Sequence, residues 1–217
     1  MEWRLETLPK ATFKAFDYLS KGLLSTSENW YLAGGTALAL QAGHRQSVDL
    51  DFFTQEKIFS PAEVVKKFSS DLWQADVFKE STIYGVLCGA KISFIAYPFF
   101  VPALPKLNYG SVPVLDKDDI AVMKVVAISQ RGRKRDFIDL YWYIKNVSPL
   151  LSVIEKLPLQ YSTVAHDFHH IIKSLTYFPD AEDDPMPSLF FNVSWEEVKK
   201  FFQREVTTIA KKVMMLD

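Results

Sequence analysis

The sequence predicts an α/β (α+β) protein, a mixed sheet with flanking helices followed by a helical C-terminal lobe. Three observations lead there. Runs with strand alternation dominate the first half, prolines gather at Pro98, Pro102, Pro105 and Pro113, and helical apolar patterning takes over after Asp116. The boundary is expected near 110, dividing the chain into a core at 1–110 and a helical lobe at 111–217.

Each element has its own signal. Pro9 to Leu24 reads as an amphipathic helix with Phe13, Phe16, Leu19, Leu23 and Leu24 near one face. Trp30 to Ala33 is an apolar strand, and Gly34-Gly35 ends it where the backbone can approach a ligand closely. Thr36 suits an N-cap for a helix through Ala42. Val48 to Phe53 alternates, with Val48, Leu50 and Phe52 on one face and Asp49 and Asp51 on the other. Two carboxylates so spaced lie roughly 6.5 Å apart at Cα, within reach of one divalent ion. Ser60-Pro61-Ala62-Glu63 opens a further helix with a capping box. Ile83–Cys88 and Lys91–Tyr97 flank Gly89-Ala90 as a hairpin. Ser194 caps the last helix, with an acidic first turn at Glu196 and Glu197.

The helical half carries two further signals. Ile120 to Ile128 is apolar except at Lys124, which either snorkels to solvent or meets phosphate from within a cleft. Arg131, Arg133, Lys134 and Arg135 then precede Asp136 and Asp139 at a helix start, where Asp136 suits a cap. Four cations in five residues form a solvated turn or a local phosphate-binding patch. His166, His169 and His170 have metal-compatible spacing, but with no acid or cysteine at matching spacing they read as a plain helix face. The acidic loop with Asp180, Glu182, Asp183 and Asp184 is a solvated connector or a site for a basic partner.

Composition limits the classes. With 25 basic and 26 acidic residues the net charge is −1, so nucleic acid would have to meet a local patch. Cys88 is the single cysteine, which excludes an internal disulfide and a thiolate zinc cage and suits a reducing compartment. No apolar N-terminal run or stretch of about 18 apolar residues occurs, so a cytoplasmic protein without a membrane partner is expected. Walker, Rossmann, kinase and nucleophile-elbow patterns are missing. Metal-assisted transfer to or from a nucleotide fits what is present.

Gly34-Gly35-Thr36, Gly43-His44-Arg45-Gln46-Ser47 and Val48-Asp49-Leu50-Asp51-Phe52-Phe53 together resemble the AbiEii/AbiGii nucleotidyltransferase toxin family, a branch of the DNA polymerase β-like nucleotidyltransferases. Asp119-x-x-x-x-Lys124 and Arg135-Asp136-x-x-Asp139-Leu140 match its later motifs, so the likeness spans roughly residues 10 to 205. The resemblance implies a nucleotidyltransferase-fold core and a helical lobe that completes the site. It gives Gly34, Gly35 and Thr36 the triphosphate, with Arg45 as a further phosphate contact. It gives Asp49 and Asp51 the Mg²⁺ (or Mn²⁺), Lys124 a nucleotide phosphate, and Asp136 a place beside Lys124 or the acceptor. It implies an NTP substrate and an RNA acceptor, the tRNA 3′ end foremost, which would meet Arg131, Arg133, Lys134 and Arg135. A cognate antitoxin and a role in abortive infection or another phage-defence system complete the expectation. The third carboxylate usual in the superfamily has no counterpart on Lys91–Tyr97. Transfer to a protein or small-molecule hydroxyl, and an inactive nucleotide-binding module, are the alternatives.

Overall fold

Burial alternation and apolar runs place the strands. The computed structural model describes residues 2–22, 30–79 and 81–213, with residues 75–78 by backbone alone. After a short 3₁₀ turn at Leu5–Thr7, the first half holds α1 (Lys10–Leu19), β1 (Tyr31–Ala33), α2 (Gly34–Ala42), β2 (Leu50–Thr54), α3 (Pro61–Val65), β3 (Trp73–Lys79), β4 (Thr82–Leu87), β5 (Ala90–Ala96), β6 (Leu107–Tyr109) and β7 (Val112–Val114). Seven helices follow: α4 (Lys117–Arg131), α5 (Lys134–Asn146), α6 (Leu150–Ile154), α7 (Leu157–Gln160), α8 (Phe168–Ser174), α9 (Pro179–Glu182) and α10 (Trp195–Val213).

The strands form one mixed sheet in the order β3-β4-β5-β2-β1-β7-β6. β1 lies beside the central β2 and is wholly buried; it runs antiparallel to β2 and parallel to β7. β2 lies parallel to β5, with Asp51 opposite Ser93 and Phe53 opposite Ile95. On one face Leu50, Phe52 and Phe94 join the apolar core, with the Phe52 and Phe94 rings stacked at 5.4 Å. The other face carries Asp51, Phe53, Ser93 and Ile95 toward a cleft whose far wall is α4.

Several expectations need correction. The boundary near 110 falls in the turn of the β6–β7 hairpin, whose strands both join the sheet. The helical part therefore starts at Lys117, and one apolar core runs through both parts. Pro113 marked this stretch as a connector, yet it sits inside β7. The first helix ends at Leu19, and its buried face is Thr12, Ala15, Phe16 and Leu19, leaving Phe13 exposed. Leu23 and Leu24 lie outside the described residues. Val48 is exposed in the linker before β2 and does not share the face of Leu50 and Phe52. The capping box at Ser60 does not form, because Glu63 pairs with Lys66 instead. The box on α10 does form: the Ser194 amide donates to Glu197 Oε2 at 2.8 Å, and the Glu197 amide to Ser194 Oγ at 3.3 Å.

Candidate functional site

The cleft between the sheet and α4 is a cavity of about 780 Å³ with two chemically different ends. Its apolar end is lined by Phe53, Ile95, Tyr97, Ile120 and Met123. Its charged end gathers Gly34, Gly35, Arg45, Asp49, Asp51, Lys124, Arg131 and Arg135. Seven of the eight residues expected to form the site thus line one cavity or, for Asp136, directly bind a residue that does.

The glycine turn has two separate reasons. Gly34 takes φ +68°, and a Cβ there would lie 3.2 Å from Asp51 Oδ2. A Cβ on Gly35 would come within 2.2 Å of Arg45 Nη2, so the guanidinium packs where only hydrogen fits. α2 starts at Gly34 with Ala33 as its N-cap, so Thr36 is inside the helix and caps nothing. Its hydroxyl instead bonds the Ser47 hydroxyl at 2.8 Å and the Asp49 carbonyl, which ties the carboxylate strand to α2. Thr36 is buried and outside the cavity lining, so it positions Asp49 and does not face a ligand.

Behind the turn lies a buried network of charges. Asp139 Oδ1 accepts from His44 Nε2 at 2.8 Å and from Arg45 Nε at 2.6 Å. Its Oδ2 accepts from Arg45 Nη2 at 2.8 Å and from Lys124 Nζ at 2.6 Å. Lys124 also donates to Asp136 Oδ1 at 2.7 Å, and Arg131 Nε to Asp136 Oδ2 at 3.0 Å. Despite their burial, Arg45 and Lys124 hold Asp139 well below the usual carboxylate range, and Lys124 and Arg131 hold Asp136 below it. Burial pushes His44 down against the pull of Asp139. Its Nε2 faces Asp139 Oδ1, and its Nδ1 has no partner among the described residues. Three cations face two carboxylates, so the network leaves positive charge under the cleft.

These contacts revise two expected roles. Lys124 does not snorkel; it is held by two carboxylates and reaches the cavity wall. Asp136 is not a cap, since α5 begins at Lys134 after Arg133 and the Asp136 side chain turns inward. Arg45 is pinned on Asp139, so its approach to a phosphate is through the little surface it keeps in the cavity.

The four cations expected to meet RNA are already engaged. Arg131 bonds Asp136, Arg133 Nη1 bonds Asp184 Oδ1 at 2.9 Å, and Arg135 Nη1 bonds Asp49 Oδ2 at 3.2 Å. Lys134 is buried, its Nζ donating to the carbonyls of Glu182 and Asp184, 5.3 Å from the Trp195 ring centroid. The acidic loop is therefore neither a free connector nor an open docking site. It clasps this basic turn. The next residues pair with the linker before β2: the Gln46 amide donates to the Ser188 carbonyl at 2.8 Å, and the Phe190 amide to the His44 carbonyl at 2.9 Å. Asp119 is structural too, accepting from the amides of Ala103 and Leu104 at 3.1 Å and from Gln160. His166 and His170 each bond a backbone carbonyl, of Tyr161 and Ser129 respectively.

Ser93, which carried no sequence signal, touches the second carboxylate of the pair. Its hydroxyl donates to Asp51 Oδ1 at 2.6 Å from the strand where a third acid was sought. Burial raises the Asp51 carboxyl, the Ser93 hydroxyl draws it part of the way back, and Asp49 raises it further. Asp49 Oδ1 and Asp51 Oδ2 accept no hydrogen bond among the described residues. No group of three or more His, Cys, Asp or Glu suited to a metal occurs among those residues. Two hard oxygen donors fit Mg²⁺, which binds through one or two carboxylates and completes its shell with water and substrate phosphate. They do not make a closed cage.

A mixed sheet thus presents an Asp-x-Asp strand beside a glycine turn and a helical wall. The model of the AbiEii nucleotidyl transferase toxins of type IV toxin–antitoxin systems matches residues 19–77 and 91–213, and the chain belongs to that family. An uncharacterized protein of Aquifex aeolicus is 39% identical over 189 residues, covering 84% of this chain and 89% of that one. Two solved structures share the fold. The JHP933 protein of Helicobacter pylori has a TM-score of 0.54 at 17% identity over 96% of each chain. The nucleotidyltransferase toxin MenT4 of Mycobacterium tuberculosis has 0.50 at 15% identity, over 95% of this chain and 93% of its own. Membership implies an NTP substrate and an antitoxin partner. No helix among the described residues is long and apolar enough to cross a membrane.

Proposed function

We propose that the protein is the toxin of a phage-defence pair in the cytoplasm, and that it transfers a nucleotide from an NTP to the 3′-hydroxyl of an RNA, foremost a tRNA, with Mg²⁺. One observation carries this: the glycine turn, both strand carboxylates and a buried lysine converge on a single cavity with an apolar end. The base lies at the Phe53, Tyr97 and Met123 end, and the triphosphate over the Gly34–Gly35 start of α2, where backbone amides favour anions. Asp49 and Asp51 would hold the Mg²⁺, which when bound neutralises phosphate charge. Lys124 meets the phosphates as a fixed charge, and Asp136 and Asp139 hold it in place.

The acceptor oxygen forms the new bond to the α-phosphorus, the α–β phosphoanhydride bond breaks, and pyrophosphate departs toward Lys124 and Arg131. The hydroxyl proton leaves to solvent as that bond forms, because Asp49 and Asp51 would both be taken up by the metal. An α-labelled NTP mixed with total RNA tests the proposal. Label should enter RNA only with Mg²⁺ or Mn²⁺ and fall at least about 100-fold in Asp49→Ala and Lys124→Met. Label entering protein in a lysate instead of RNA would overturn the acceptor assignment. NTP binding with no transfer at all would overturn the activity.

A further inference from the structure

The cations at 131–135 are paired internally, and the rest of the cleft offers a separate grip on the acceptor. The sheet supplies a direction. One cross-strand row runs Ala33, Asp51, Ser93, Tyr84 across β1, β2, β5 and β4. Strands sit about 4.8 Å apart, so Gly34 lies about one strand to one side of Asp51 and Tyr84 about 10 Å to the other. In-line displacement requires leaving pyrophosphate and incoming hydroxyl on opposite sides of the α-phosphorus. A triphosphate over Gly34–Gly35 therefore draws the hydroxyl from the Ser93–Tyr84 side.

That side is open and carries suitable chemistry. Tyr84 is 45% exposed on the cleft face, although large aromatic rings elsewhere on the sheet are mostly buried. Lys91, two residues before Ser93 and on its face, is exposed and makes no hydrogen bond or ion pair among the described residues. The cleft's other cations, Arg45, Lys124, Arg131 and Arg135, all hold carboxylates. A Cβ on the neighbouring Gly85 would come within 2.7 Å of the Gln74 carbonyl and the Trp73 ring, so β4 is packed tightly on β3 beneath Tyr84. A firm aromatic face beside an unpaired cation is how proteins hold single-stranded nucleic acid, the ring stacking on a base and the cation meeting the backbone.

We propose that Tyr84 and Lys91 form the platform for the 3′-terminal nucleotide of the RNA acceptor. Tyr84 stacks on the base and Lys91 meets its phosphate, which brings the 3′-hydroxyl past Ser93 to Asp51. The proposal rests on RNA being the acceptor.

Anisotropy of a short fluorescent single-stranded RNA with a free 3′-hydroxyl, read beside binding of a fluorescent NTP, tests it. Tyr84→Ala should weaken RNA binding about tenfold and Tyr84→Phe should retain it, because the ring stacks. Lys91→Ala should weaken it and lower the slope of log affinity against log salt by about 0.7. NTP binding should be unchanged in all three. Unchanged RNA affinity in Tyr84→Ala and Lys91→Ala, or a parallel loss of NTP binding, would overturn the platform. If those variants still label RNA with an unaltered KM, the platform fails while the RNA reading stands. If the wild-type protein neither binds nor labels RNA and labels a protein instead, both fail.

Discussion

Asp139→Asn probes the buried network with almost no change in shape. The two Asp139 oxygens receive four donors: His44 Nε2 and Arg45 Nε on Oδ1, and Arg45 Nη2 and Lys124 Nζ on Oδ2, all between 2.6 and 2.8 Å. An amide offers one acceptor oxygen, so in either orientation its NH₂ faces two of these donors. The substitution also leaves Arg45, Lys124 and Arg131 facing Asp136 alone. Removing one partner of a buried ion pair costs about 3–5 kcal/mol, because the charge left behind is uncompensated. At roughly 2–4 °C per kcal/mol for a chain of this size, Tm should fall by about 6–20 °C. Thermal unfolding near pH 7.5 measures this, with Arg133→Ala as the control. Its pair with Asp184 is half exposed and worth at most about 1 kcal/mol. An Asp139→Asn melt indistinguishable from wild type would refute the claim that this carboxylate holds the three side chains in place.

Three further outcomes follow from the same geometry. Gly35→Ala drives a methyl group into a guanidinium that Asp139 prevents from retreating, so it should cost about 1–3 kcal/mol in a denaturant titration, and no loss would mean that Arg45 can move. The His44 pKa lies below its ordinary 6.5 in the folded protein, so the unfolded chain binds the proton more tightly. Stability from this residue is complete above about pH 6.5 and falls as pH drops below it, and His44→Gln should flatten Tm against pH between about 7.5 and 5. Asp136 and Asp139, lowered from 3.8, add an acid-sensitive loss only below about pH 4, so the two effects separate. Arg135→Ala removes a competing cation from Asp49, so Mn²⁺ binding followed by electron paramagnetic resonance should tighten up to about fivefold; weaker binding would contradict the carboxylate assignment.

Local patterns in the sequence carried much of this. The Gly-Gly turn, the Asp-x-Asp alternation and the lone lysine in an apolar helix each depend on periods of two or 3.6, which are readable within a dozen residues. Pairings formed across the chain were not readable. Ser93 matters because β5 lies beside β2 in a register that sets it against Asp51, and serine carries no charge to announce this. Arg133, Lys134 and Arg135 look alike in sequence, yet the helix turns one toward Asp184, one under Trp195 and one toward Asp49. Thr36 met every local requirement for a cap, but the cap fell three residues earlier, at Ala33, and freed the Thr36 hydroxyl to secure Asp49. His44 sat inside a quoted motif without a role, since Asp139, 95 positions away, gives it one.

The seam between residues 44–46 and 188–190 sets a schedule for synthesis. Arg45 pairs with Leu189 across 144 residues of chain. Ribosomes add about 5–20 residues per second, so the linker leading to Asp49 waits roughly 7–30 s for the segment that bridges to it. During that interval the nascent chain also lacks the Asp184 clasp on Arg133 and Lys134. A chain still on the ribosome thus lacks both the seam over the Asp49 linker and the clasp on the basic turn.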